Sequence, residues 1–142
     1  MTLYSKQAKA WSPVRESDAG NVHCAIGYVA AADALIINQN DVCEMVKIPA
    51  GATIIDVILD IPNVGANVNV SVGDGDNTTY LISATTGAAA LVIRKNGSNA
   101  GVPKTYAAED TIDVVFTNAN PTDNVAFTLF VMYVCGVDTT PY

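Results

Sequence analysis

Histidine and tryptophan each occur once in this chain of 142 residues, cysteine three times, and basic residues number 7 against 14 acidic ones. Each scarcity excludes a class of function. At a formal net charge of −7 the chain lacks the clustered Lys and Arg that neutralise phosphates, so no nucleic-acid partner is expected. The single histidine, His23, is followed by Cys24, but consecutive residues of a strand point to opposite faces, so the two do not make a nucleophile and base. No nucleophile elbow and no phosphate-cradling glycine pattern accompanies them. The expectation is therefore no enzyme, no catalytic residue and no cofactor. Cys24, Cys43 and Cys135 are odd in number and far apart, without zinc-type spacing. They read as buried free thiols of a chain folded in a reducing cytoplasm, with one disulfide and one leftover thiol as the alternative. The longest nearly uninterrupted apolar stretch, Val125 to Val137, falls short of the roughly 20 residues of a membrane-spanning helix. Met1 to Arg15 contains no apolar run resembling a signal-peptide core, so neither membrane insertion nor export is expected.

What is present is apolar material: half of the residues are hydrophobic and only 15% are charged. A chain of this length buries roughly two-thirds of its unfolded surface and needs neither metal nor disulfide to hold a core. Charge is unevenly placed. Residues 1–15 carry Lys6, Lys9 and Arg15 and no acid, which leaves four basic against fourteen acidic residues on the rest, a charge of −10. Ser12-Pro13 stops any helical turn begun at Ser5 to Trp11. Residues 1–21 therefore read as an extended basic arm, and residues 22–142 as one domain. Trp11 is a large aromatic expected to dock, either on its own body or on a neighbouring subunit.

The body alternates with period two. Val22 to Ala30 sets Val22, Cys24, Ile26, Tyr28 and Ala30 against His23, Ala25, Gly27 and Val29, with one side as core. In Val42 to Ile48, Val42, Glu44, Val46 and Ile48 alternate with Cys43, Met45 and Lys47, and Pro49-Ala50-Gly51 makes a turn. Thr53 to Ile61 offers Ile55, Val57, Leu59 and Ile61 as an apolar face, with Ile54, Asp56, Ile58 and Asp60 opposite. Val68, Val70 and Val72 alternate with polar residues before the turn Gly73 to Asn77, which leads into a hairpin partner at Thr79 to Ser83. Leu91 to Arg94 is a short strand, and Thr111 to Asn118 faces one way with Ile112, Val114 and Phe116. The last strand, Val125 to Cys135, is apolar on both faces, and its second face of Phe130, Met132 and Val134 requires a cover: a loop, the arm or another subunit. About eight strands with almost no helix predict an all-β, antiparallel β-sandwich, the jelly roll being one topology of that class.

Candidate chemistry is sparse. The acidic turn Asp74-Gly75-Asp76-Asn77 superficially resembles a calcium loop but lacks the distal bidentate glutamate, so it reads as a solvated hairpin turn and no metal is predicted. Asp56 and Asp60, four apart on a strand, lie roughly 13 Å from each other, too far for an acid–base dyad. Glu109, Asp110 and Asp113 read as a charged strand entrance.

Asp41 through Asp56 carries a resemblance: a strand ends in the turn Ile48-Pro49-Ala50-Gly51-Ala52 and leads into Ile54-Ile55-Asp56-Val57-Ile58-Leu59-Asp60-Ile61. With the hairpin Val70-Ser71-Val72-Gly73-Asp74-Gly75-Asp76 and the closing strands from Thr111 to Tyr133, it resembles small structural proteins of tailed bacteriophages, of the capsid decoration or cement type. The resemblance covers residues 41 to 80 and, loosely, 110 to 135. It implies a homotrimeric β-sandwich, made in the host cytoplasm, that binds major capsid protein on the outer surface of the assembled head and stabilises contacts between its subunits. On that reading Lys6, Lys9, Trp11 and Arg15 dock on the capsid, and Phe130, Met132 and Val134 form the subunit interface. The alternative is a head-fibre or tail-fibre module for host recognition, binding carbohydrate through Tyr80 and Tyr106.

Overall fold

The computed structural model describes residues 2–4, 21–31, 37–94, 103–122 and 125–135. Among them, ten strands are packed as two sheets: β1 (Thr2–Tyr4), β2 (Val22–Val29), β3 (Val42–Ile48), β4 (Ala52–Ile61), β5 (Asn69–Gly73), β6 (Ile82–Thr86), β7 (Leu91–Arg94), β8 (Lys104–Thr105), β9 (Asp110–Thr117) and β10 (Phe127–Cys135). One sheet, here sheet A, has the order β1-β3-β9-β5-β6. The other, sheet B, has the order β2-β10-β4-β7, with β8 also on β4. Leaving out the short β1 and β8, each sheet alternates early and late strands of the chain, which is the strand order of a jelly roll. Every pairing is antiparallel except β1 on β3, where Thr2–Tyr4 runs parallel to Val42–Glu44. The start of the basic N-terminal segment is thus an edge strand of sheet A.

The core lies between the sheets and follows the alternation wherever the ladder is regular. Val70 and Val72 of β5 and Ile112, Val114 and Phe116 of β9 are buried from one sheet, Val57, Leu59 and Ile61 of β4 and Phe127, Leu129 and Val131 of β10 from the other. Phe116 and Phe127 meet edge to face across the sandwich, with ring centroids 5.5 Å apart.

Two bulges change the expected faces. The β4–β10 register shifts between Met132 and Tyr133, so that Asp56 opposes Met132 while Ile54 opposes Tyr133, and Ile55 is the extra residue. Ile54 therefore turns inward, fully buried, and Ile55 is 42% exposed, the reverse of the simple alternation. A second shift in β3, between Glu44 and Val46 opposite β9, puts Cys43, Met45, Val46 and Ile48 all in the core.

In β2, where the alternation leaves the core side open, the larger side chains face out. Its inner face carries Ala25 and Gly27, and a Cβ on Gly27 would lie 2.6 Å from the Met45 carbonyl oxygen. This close approach of β2 to β3 leaves room for nothing bulkier, so Val22, Cys24, Ile26 and Tyr28 are exposed. Cys24 corrects the expectation of three buried thiols: it is exposed, and only Cys43 and Cys135 are buried.

Candidate interaction surfaces

Strand register assembles an apolar surface on the outside of sheet B. Side chains in register across antiparallel strands share a face. Ile26, Phe130 and Ile58 make one such row across β2, β10 and β4, Cys24, Met132 and Asp56 the next, and Val22, Val134 and Thr53 a third. Val22 is 62% exposed, Ile26 51%, Tyr28 52% and, beyond β4, Val92 68%. Phe130, Met132 and Val134 are half-buried in the middle of this surface, with the more exposed β2 side chains alongside. Among the described residues of this face, charge is confined to the β4–β7 side, where Arg94 is paired with Asp56 and Asp60 is exposed. Large exposed apolar patches are characteristic of surfaces that associate with a partner or a membrane. The alternation places Phe130, Met132 and Val134 on an apolar second face, and the register adds Ile26, Tyr28 and Val92 to that face. The sequence signal in β2 is that small Ala25 and Gly27 alternate with larger apolar residues.

The turn after β5 is exposed to solvent at Gly75, Asp76 and Asn77, as expected, but not at its first residue. Gly73 admits no side chain, since a Cβ there would meet the Asn77 carbonyl oxygen at 1.9 Å, and Asp74 is fully buried. Its Oδ1 accepts the backbone N–H groups of Asp76 at 3.2 Å and Asn77 at 3.0 Å. Its Oδ2 accepts from the Lys104 ammonium and, at 2.8 Å, from the Tyr106 hydroxyl. Burial opposes ionisation of Asp74, but the bonds from Lys104, Tyr106 and Asn77 outweigh it and hold the carboxyl below the ordinary range. Four donors fill the four acceptor positions of the carboxylate, so the turn is a structural lock and not a calcium loop. Among the described residues, no group of three or more His, Cys, Asp or Glu side chains is placed to hold a metal ion.

Lys104 also sits over the rings of Tyr80 and Tyr106, 4.7 and 4.8 Å from their centroids. Tyr106 is buried, and burial, then its bond to Asp74, pushes its hydroxyl well above the usual tyrosine range. The pair is therefore not an open aromatic platform for a sugar. His23 likewise has a structural contact, its ring stacked on that of Tyr133 at 5.4 Å.

The charged entrance to β9 divides in two. Glu109 is exposed and lies 3.7 Å from Lys47, whereas Asp113 is buried on the outer face of sheet A, beside Val115 and Ser71. Burial of the neighbouring Cys43 pushes its thiol up to about 12, so it stays unreactive. Lys6, Lys9, Trp11 and Arg15 lie outside the described residues.

No known protein-family model matches this chain, and no curated protein does. Solved structures do. A chain in the capsid of Ralstonia phage GP4 is similar over 96% of this chain and 99% of its own length, with a TM-score of 0.74 and 22% identity. A chain of the cyanophage Pam1 capsid asymmetric unit is similar over 92% and 96%, with a TM-score of 0.67 and 23% identity. A chain in the acidic stable capsid structure of Helicobacter pylori bacteriophage KHP30 is similar over 80% and 86%, with a TM-score of 0.59 and 21% identity. At these identities the likeness is one of fold. It spans at least 80% of this chain in all three.

Proposed function

We propose that this chain is a non-enzymatic structural protein of a bacteriophage virion, a capsid decoration protein that binds the outer surface of the assembled head and stabilises contacts between major capsid subunits. The observation that carries the reading is the likeness, over 80% or more of the chain, to chains of three phage capsids, with a TM-score of 0.74 over 96% of the chain for one of them. The outer face of sheet B supports it, because a protein that works by covering a repetitive surface needs apolar area outside its own core. On this proposal copies of the chain join as a homotrimer through Phe130, Met132 and Val134, with Ile26 and Tyr28 extending the contact. Lys6, Lys9, Trp11 and Arg15 dock on major capsid protein, the basic segment meeting acidic capsid surface. The protein is made in the host cytoplasm and ends on the capsid surface.

Cosedimentation of the purified protein with capsids lacking it, beside whole host cells and with its mass in solution, tests the proposal. Saturable binding of a trimer to capsids is expected. Binding to cells or their glycans instead would overturn it in favour of a host-recognition module. The docking residues are best tested by charge reversal of Lys6, Lys9 and Arg15, since deleting the segment also removes β1 from sheet A. Capsid binding is expected to fall while the unfolding temperature is kept.

A further inference from the structure

Asp113 occupies an unusual place for a carboxyl. It lies in β9, the middle strand of sheet A, and is only 2% exposed. On one side its register partner is Glu44 of β3, another carboxyl; on the other it is Gly73 of β5, which has no side chain to offer. Thr111, two residues back along β9, hydrogen-bonds the carboxyl, yet Oδ1 meets no partner among the described residues. The charged groups around it are mostly of its own sign: Glu44 from β3, Asp74 following β5 and Asp110 from β9 itself. The cations on the adjoining segments are engaged elsewhere, Lys47 of β3 with Glu109 and Lys104 with Asp74. An ionised carboxylate there would be buried, short of a donor and surrounded by like charge; the neutral acid avoids the largest of those costs.

We propose that Asp113 is a proton-holding group of the native fold: sheet A keeps this carboxyl neutral in mildly acidic solution, and release of its proton to solvent toward neutral pH weakens the β3–β9–β5 face. Burial first, then the charges of Glu44, Asp110 and Asp74, raise its pKa from 3.8 to about 7, and burial raises that of Glu44 as well. A group raised on folding stabilises fully below its unfolded value, and that contribution is lost as pH climbs to the folded value. The window here runs from 3.8 to about 7, and stability should fall across it, against the usual direction for a carboxylate. This inference stands apart from the capsid reading.

Two measurements decide it. Denaturant unfolding of the full chain is followed from about pH 5 to about pH 8, where the linkage operates, for the wild type and Asp113→Asn. The wild-type unfolding constant is expected to rise about tenfold per pH unit below neutrality and then level off, while the variant shows a nearly flat profile. Parallel profiles would overturn the proposal. Carbon-13 titration of the Asp113 carboxyl in the wild type gives the answer even if the variant does not fold. A midpoint near neutrality, moved lower by Glu44→Gln, is expected, whereas a midpoint in the ordinary carboxylate range would overturn it.

Discussion

The outer faces of the two sheets are opposites. Sheet A turns Ser71, Asp113 and Val115 outward and has them buried, whereas sheet B turns Val22, Ile26, Tyr28 and Val92 outward and exposes them. A polar group out of water and apolar groups in water are each unfavourable for an isolated domain. Their difference in kind is informative. Exposed apolar surface is relieved by a partner, so sheet B points to assembly. A buried carboxyl is relieved by a proton, so sheet A points to pH.

The same contrast exists between two aspartates. Asp74 and Asp113 are both buried, but Asp74 has four donors and Asp113 has an oxygen with none among the described residues. Lys104→Ala should therefore have the largest effect on stability, about 3–5 kcal/mol, because it leaves the buried Asp74 carboxylate without its counter-charge; denaturant unfolding at neutral pH measures it. Acid should undo the same lock. Since the Asp74 pKa is lowered, its contribution is present above 3.8 and lost as pH falls through the depressed value, opposite in sign to Asp113. A scan in which both aspartates weaken the fold in the same direction of pH would break the contrast.

Ile26→Asp addresses sheet B. Placed on a half-exposed position, the charge should change monomer stability by no more than about 0.5 kcal/mol yet abolish self-association, read as mass in solution. Arg94→Ala should have the smallest effect. Its pair with Asp56 is at the exposed corner of the same face, and such pairs contribute at most about 0.5 kcal/mol once solvent screening is counted.

Much of the sandwich is legible in the sequence where alternation is uninterrupted. Val68, Val70 and Val72 and then Ile112, Val114 and Phe116 are buried as their period implies, and Leu91–Arg94 is a strand. Alternation misleads at Ile54 and Ile55 and at Met45 and Val46, since a bulge depends on the partner strand and leaves no local mark. Turn chemistry misleads at Asp74: Gly, Asp and Asn do form the turn, but its burial comes from Lys104 and Tyr106, some thirty residues on. For β2, alternation shows two faces but does not say which is core. Only the closeness of Gly27 to the Met45 backbone turns the larger residues outward.

On the proposed function, this sandwich strengthens a capsid by joining copies through sheet B. The most direct test heats capsids lacking the protein, alone and after adding back wild type or Ile26→Asp, and records the temperature at which they release DNA. Wild type is expected to raise this temperature and Ile26→Asp to leave it unchanged. Equal release temperatures with and without the wild-type protein, despite binding, would contradict it.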